Sequence, residues 1–338
     1  MILFKQFNNK FFMSSFFTVF LLGIGLITSA IPRSAMAADP VICSANVTSG
    51  SLNFGVINPL SPANIDINSN LAISCKNMVK TNFYVSVCFN IGDGNGPITN
   101  GNRVVSNGTS LLQYQIFSDA ARSSIWGSAL SGSFPTPQIL NFYLRKRATY
   151  SANIPMYGRL YGSQTTAIVG NYADNYVFPN ISIAGTLFTG SQGVGNCTQT
   201  GTDAGGFSTF TVNAIVQSNC NVTATNLDFG IQPLLTTNVT ATSLIQVQCT
   251  YGSGYQVGLN NGVNAIGTQR YMQSSVGTIS YGMFQNASDT ISWNNSTNQQ
   301  SGVGTGNIFN HTVYGLVTPQ PLTKAGIYQD TVQVVITY

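Results

Sequence analysis

An internal repeat constrains the fold of this chain more than any other feature of its sequence. One copy runs from Cys43 through a Leu-Asn-Phe-Gly turn to Cys75, and the other runs from Cys220 through Leu-Asp-Phe-Gly to Cys249. Further blocks match in the same order, including NFYVSVCFNIGDGNG with GYQVGLNNGVNA and MYGRLYGSQ with VYGLVTPQP. Similarity in several ordered blocks indicates two copies of one domain in tandem.

Each block alternates apolar and polar residues over a short stretch between Gly or Asn turns, which is typical of strands. The aromatic content of 15 Tyr and 20 Phe favours the same structure. We therefore predict an all-β fold of two tandem β-sandwiches, immunoglobulin-like or pilin-like. Between them, the segment GTDAGG indicates a flexible connection and FSTFTVNAIVQ indicates one further strand.

The N-terminal segment has the pattern of a secretory signal peptide. Lys5 and Lys10 precede an apolar run over 11–30, and Ala35-Met36-Ala37 offers small residues for cleavage. We expect a signal peptide over 1–37, a first domain over 38–205, a linker strand over 206–217 and a second domain over 218–338. A retained membrane anchor is the less favoured alternative, because the cleavage site follows the apolar run directly.

The cysteine pattern indicates structural disulfides. All six cysteines follow the predicted cleavage site, so they meet an oxidising compartment. The repeat pairs Cys43 with Cys75 and Cys220 with Cys249, and it leaves Cys88 and Cys197 for each other, although spacing alone allows 15 pairings. No metal site or cofactor is expected, since the sequence has no C-x-x-C motif and one histidine, which we expect at the surface or at a strand end.

Charge and residue usage exclude several function classes. All nine acidic residues are Asp, and removal of Lys5, Lys10 and Arg33 with the signal peptide leaves ten basic residues, a net charge near +1. This balance favours neither nucleic acid nor anionic lipid as a partner. Without Glu and with a single histidine, the chain lacks the usual acid, base and nucleophile sets, and we predict that it is not an enzyme.

The second copy resembles a known family. The residues that carry the likeness are Cys220, 227–230, Cys249, Trp293 and the C-terminal run from Gly326 through TVQVVITY. They are similar to the spore coat protein U domain family, the pilins of archaic, Csu-type chaperone–usher pili. The resemblance implies sandwiches that lack one strand, which a neighbouring subunit supplies by edge-strand addition. It also implies a periplasmic chaperone that covers the open edge, an outer-membrane usher, and a final location on the cell surface.

Two features of the sequence predict a place at the pilus tip. Only the residues from Ala38 to Ile42 precede Cys43 in the expected mature chain, too few for a donated strand. The strand in 207–217 stands where a single-domain member would carry its donor, and we expect it to complete the first domain instead. The alternating residues that end the chain should border an open groove in the second domain, which accepts an adjacent pilin's strand: Val332, Val334, Ile336 and Tyr338.

Apolar residues in predicted loops of the first domain are candidates for surface attachment, as in an adhesin that promotes biofilm formation. They are Val104, Val105, Ala129, Leu130, Phe134, Pro135, Ile168 and Val169. An exposed apolar patch could bind an abiotic or host surface by dehydration. The alternatives are that these side chains return to the core, that the tip binds glycans through a lectin-like pocket, or that the protein is a structural spore-coat or fibre component.

Overall fold

The computed structural model describes residues 39–198 and 204–338. These two ranges contain strands, turns and loops, and none of their segments forms a helix that could cross a bilayer. The predicted signal peptide lies outside the described residues, as does the first half of the glycine-rich connection, 201–203.

The strands follow the predicted alternation of burial. From Leu71 onward, the strand Ile65–Asn77 buries every second side chain. The first copy and the linker contain β1 (Val41–Val47), β2 (Ser51–Ile57), β3 (Ile65–Asn77), β4 (Phe83–Ile91), β5 (Arg103–Ser106), β6 (Leu111–Phe117), β7 (Gln138–Leu144), β8 (Thr149–Leu160), β9 (Gly170–Tyr176), β10 (Ile181–Phe188), β11 (Ala204–Phe207) and β12 (Phe210–Val216). The second copy contains β13 (Cys220–Ala224), β14 (Val239–Cys249), β15 (Gly254–Leu259), β16 (Arg270–Ser274), β17 (Gly277–Phe284), β18 (Gln300–Val303), β19 (Ile308–Val317) and β20 (Val334–Thr337).

The first domain places a nine-stranded sheet, in the order β11-β1-β3-β8-β6-β5-β9-β12-β2, against a three-stranded sheet, β10-β4-β7. Its core is one cluster that includes the fully buried Leu112, Ile116 and Trp126. The same cluster includes the inward side chains of β12, so the linker strand belongs to this core.

The second domain repeats the arrangement with fewer strands. A five-stranded sheet, β13-β14-β19-β17-β16, faces a three-stranded sheet, β18-β15-β20. Its separate core contains Val257, Leu259 and Trp293. The predicted all-β fold of two tandem sandwiches, the second incomplete, is confirmed.

All three expected disulfides are present. Cys43 and Cys75 join β1 to β3, and Cys220 and Cys249 join β13 to β14 at the matching place. The Cys88–Cys197 disulfide has no counterpart in the second domain. It ties the segment after β10 to β4. In the same segment the N–H of Asn196 donates to Oγ1 of Thr186 in β10, at 2.9 Å. This segment, 189–198, therefore forms a strap fastened to the three-stranded sheet.

Candidate functional site

The linker strand β12 fills a gap in the nine-stranded sheet of the first domain. It pairs antiparallel with β9 on one side and parallel with β2 on the other. Its inward side chains are at most 2% exposed, and they are Phe210, Val212, Ala214 and Val216. The residues between them face outward, including Ile215, which is 38% exposed. The chain thus completes its own first domain.

The register of the antiparallel pairing between β12 and β9 is continuous over seven residues of each strand, whereas the parallel pairing with β2 shifts between Asn213 and Ile215. In the antiparallel ladder the inward pairs are Phe210 with Tyr176, Val212 with Asp174, Ala214 with Tyr172, and Val216 with Gly170. On the parallel side, Val212 lies beside Leu52. These pairs define four successive positions along the filled groove, which we call positions one to four, counted from Phe210.

The second domain carries the walls of the same groove without a strand between them. By the repeat, Leu227 and Phe229 match Leu52 and Phe54 of β2, and Tyr328 matches Tyr172 of β9. In the first domain these three residues are at most 6% exposed. Their counterparts are only half-buried, although they pack against the core. Within residues 204–338, no strand pairs with the two wall segments, 226–231 and 326–332, across the space between them.

The four predicted groove residues have different positions. Val332 matches Tyr176 and lies on the groove wall, half-buried. Val334 and Ile336 belong to β20, where they pair with Leu259 and Val257 and pack half-buried against the core. Tyr338, after that strand, is 53% exposed. Because Ile181 and Ile183 at the matching places in β10 are only 2% and 6% exposed, a strand in the second groove would bury Val334 and Ile336 further.

A buried polar network lies beneath the filled groove. The Arg103 side chain is fully buried and donates to the carbonyl oxygens of Ile91, Gly92 and Trp126, each at 2.9 Å. The hydroxyl of Tyr114 donates to Oδ2 of Asp174 at 2.5 Å. Burial raises the pKa of the Asp174 carboxyl above its ordinary value, despite the hydrogen bond from Tyr114.

The second domain repeats the network at the edge of its open groove. Arg270 donates to the carbonyl oxygens of Leu259, Asn260 and Trp293, at 2.7–3.2 Å. The hydroxyl of Tyr281 donates to Oδ2 of Asp330 at 2.7 Å. Burial lowers the pKa of the Arg270 guanidinium. The hydrogen bonds to the three carbonyl oxygens offset the free-energy cost of burying this charge. In both domains these hydrogen bonds join the two sheets of the sandwich beside the groove.

Three predicted attachment residues are buried, and their expected exposure is wrong. Val104 and Val105 lie in β5 and are 1% and 0% exposed. Val105 faces the core, whereas Val104 lies under Gly96, where an added Cβ would come 2.4 Å from the valine. Phe134 is 7% exposed because its ring packs on the guanidinium of Arg103, 4.4 Å from the ring centroid.

The other attachment candidates form two separate loops. In the loop 127–137, Leu130 is 44% exposed, Pro135 is exposed and Ala129 is half-buried. In the second loop, Val169 is 46% exposed and Ile168 is half-buried. Ile168 forms an isolated bridge with Tyr251 of the second copy, so this loop adjoins the second domain.

The loop 127–137 has a defined conformation. The N–H of Ser128 donates to the carbonyl of Phe134 at 2.7 Å, and the Oγ of Ser133 donates to Asp93 at 2.8 Å. A Cβ at Gly127 would fall 2.0 Å from the carbonyl oxygen of Phe134, so the loop closes only over glycine. The buried Phe134 anchors the loop, and Leu130 stands near its turn.

The only histidine in the sequence is also buried, contrary to the expected surface position. His311 is 4% exposed, and its Nε2 lies 3.1 Å from the hydroxyl of Tyr255. Its Nδ1 contacts Gln300. Burial lowers the pKa of this imidazole. Among the described residues no group of three or more His, Cys, Asp or Glu side chains could hold a metal ion.

Comparison with known proteins identifies the family. The Spore Coat Protein U domain matches residues 34–178 and 207–335, and the chain therefore belongs to this family. The sequence matches no curated protein. The fold is similar to that of a chain in the CsuC–CsuE chaperone–tip adhesion subunit complex from Acinetobacter baumannii, with 18% sequence identity and a TM-score of 0.50. The match covers 88% of this chain and all of the chain in that complex. The CupB6 tip adhesin from Pseudomonas aeruginosa matches at 11% identity and a TM-score of 0.38, covering 89% and 94%.

Sequence reasoning missed two parts of this site. The groove walls at Leu227, Phe229 and Tyr328 could have been found by aligning them with the residues that flank the linker strand in the first copy. The polar network also had a signature, because Arg103 precedes Tyr114 by 11 positions and Arg270 precedes Tyr281 by the same number. A buried arginine is unusual enough that a repeated spacing of this kind indicates a structural role.

Proposed function

We propose that this protein is the tip adhesin of a chaperone–usher pilus. The proposal rests on one observation, the position of β12 within the sheet of the first domain. This strand stands before the second domain, where a pilin within the fibre holds the extension that it donates. Here its inward side chains are buried in the first domain, at most 2% exposed. A subunit whose donor strand is used within its own chain accepts a strand without giving one, and that property suits the fibre end.

The open groove of the second domain suits an accepting subunit. An unpaired sheet edge with apolar walls is prone to aggregation, so a periplasmic chaperone is its expected first partner. Transfer at an outer-membrane usher would then exchange the chaperone for the strand of the adjacent pilin. Main-chain hydrogen bonds along the two wall segments would supply affinity, and the side-chain pockets would supply specificity. The protein would reach the cell surface as the terminal subunit.

Attachment is assigned to the loop 127–137 of the first domain. Leu130 and Pro135 are exposed there, and the buried Phe134 holds the loop in one conformation. A rigid apolar loop loses little conformational entropy on contact with a hydrophobic surface. Burial of one leucine contributes at most about 1.5–3 kcal/mol, so firm attachment of a cell requires many fibres acting together.

The test compares fibres that carry wild-type protein with fibres that carry Leu130→Ser and Pro135→Ser together. Cells expressing the protein with its chaperone, usher and pilins should show immunogold label at fibre ends, and the double variant should attach poorly to polystyrene while fibre number is unchanged. Val169→Ser is the matched control, since Val169 is similarly exposed but lies in the other loop, next to Ile168. Label along the whole fibre would overturn the terminal position, and unchanged attachment of the double variant would overturn the role of the loop.

A further inference from the structure

The groove that β12 fills in the first domain indicates what kind of strand enters the matching groove of the second domain. We infer that this strand carries inward side chains in the order large, branched, alanine-sized and branched, and that it runs in the direction of β12. The inference rests on the proposed function of the second domain as an acceptor. It goes further by specifying the chemistry of the occupant.

On the β9 wall, three of the four groove positions have the same residue in both domains. At positions two, three and four, β9 presents Asp174, Tyr172 and Gly170, and the matching segment presents Asp330, Tyr328 and Gly326. The polar partners are also alike, because Tyr114 and Tyr281 donate to Oδ2 of the two aspartates. On the opposite wall Leu52 at position two has Leu227 as its counterpart, whereas Ile57 at position four has Gln232. The side chains accepted at positions two and three should therefore be the same, and the one at position four should meet the same glycine.

Position three is the most selective, because its tyrosine is held in place. The hydroxyl of Tyr172 donates to the carbonyl of Ile168 at 2.7 Å, and the hydroxyl of Tyr328 donates to the carbonyl of Lys324 at 2.8 Å. Each ring is therefore tied to a backbone atom four residues earlier. Opposite Tyr172 the linker strand has Ala214, which is 1% exposed. A larger side chain would have to displace the ring and break its hydrogen bond.

Position one differs between the domains and indicates a large side chain. In the first domain Tyr176 lies at this position, and Phe210 stacks on its ring. The hydroxyl of Tyr176 lies 2.8 Å from the hydroxyl of Tyr114. The second domain has Val332 instead, so its pocket lacks one aromatic ring. A bulky donor residue would fill that space against Val332.

These positions also set the direction of the strand. If the order of β12 were reversed, valine would meet Tyr328 and phenylalanine would meet Gly326, while alanine would leave a gap beside Asp330. The forward order places each side chain as in the first domain. It follows that the sequence of β12 itself fits the second groove, and that the adjacent subunit donates a strand of β12-like pattern.

The test supplies this strand to the full mature chain. A second copy of residues 204–217 is appended after Tyr338 through a Gly-Ser linker of 15 residues, the number that separates Phe188 from Ala204. Hydrogen exchange is then measured on the monomer. Amides of 326–332, apart from that of Gln329, which already donates to Gln273, should exchange at least about tenfold more slowly than in the chain without the appended strand.

Variants within the appended copy separate the possible outcomes. Ala214→Leu in that copy should abolish the slowing, whereas Ile215→Leu, at an outward position, should retain it. If the wild-type copy gives no slowing although the chaperone protects 326–332, the inferred side-chain order is wrong and the acceptor role stands. If neither protects the segment, the groove does not accept a strand and the proposed function fails with the inference. If the wild-type and Ala214→Leu copies protect 326–332 equally, the acceptor role stands and the inferred side-chain order is wrong.

Discussion

Phe210 of the linker strand stacks on Tyr176 of β9, with ring centroids 4.6 Å apart and ring planes within 3° of parallel. Phe210 lies opposite Tyr176 in the ladder and is 2% exposed. This pair makes the linker strand part of the first domain's core. The second domain has valine in place of Tyr176, and its groove contains no such contact among the described residues.

Truncation of this contact should destabilise the first domain. We expect Phe210→Ala to lower its free energy of unfolding by about 3–5 kcal/mol, because a buried phenyl ring is replaced by a cavity. Urea denaturation of the full chain, followed through the first domain, measures the change. Ile215→Ala on the same strand is the control and should cost much less, since Ile215 is 38% exposed. Equal losses from both variants would contradict the burial of β12.

Removal of the Cys88–Cys197 disulfide should weaken only the first domain. The bridge closes a sequence separation of 109 residues, so its loss should cost about 2–5 kcal/mol. Replacement of both cysteines by alanine should also expose the strap 189–198 to protease. The paired replacement of Cys220 and Cys249 is the control, and it should affect the second domain instead. A strap that stays resistant without its disulfide would show that other contacts hold it.

Stability of the second domain should fall in mild acid because of His311. Burial lowers the folded-state pKa of this imidazole, whereas the unfolded chain binds a proton near pH 6.5. The contribution is therefore fully present above pH 6.5 and is lost as the pH falls toward the lowered folded value. His311→Gln should flatten this dependence in thermal unfolding. As His311 is the only histidine in the sequence, persistence of the dependence in the variant would refute the assignment.

Asp174 should have the opposite effect on the first domain. Its folded-state pKa is raised above 3.8 by burial, so the folded chain binds the proton more tightly than the unfolded chain. Stability from this group should fall as the pH rises from about 3.8 through the raised value. Asp174→Asn should remove that slope while Asp289→Asn, at a half-buried position in the second domain, should leave it. A slope unchanged by Asp174→Asn would mean that another group titrates.

Much of the fold could be predicted because its causes are local or repeated. Alternating burial along strands such as β8 and β14 follows from the period of a strand. The cysteine pairs followed from the repeat, and they are confirmed. The linker strand was recognisable because Phe210, Val212 and Ala214 alternate with polar residues.

The failures have a common physical cause, which is that exposure depends on contacts distant in sequence. Phe134 is in a loop rich in Gly and Ser, yet Arg103 gives it a buried partner. Val104 is covered by the backbone at Gly96. The imidazole of His311 contacts the hydroxyl of Tyr255, 56 residues away in the sequence. Composition shows that such residues are apolar or titratable, but it does not reveal which neighbour covers them.

The most direct test of the account compares two matched segments within one protein. Hydrogen exchange of the mature chain should find 170–176 protected without any partner, because β12 pairs with it. The matching segment 326–332 should exchange rapidly in the chain alone, except at Gln329, whose N–H donates to the carbonyl of Gln273, and it should become protected when the chaperone or a donor strand binds. Equal protection of the two segments in the unbound chain would contradict a completed first domain beside an open second domain.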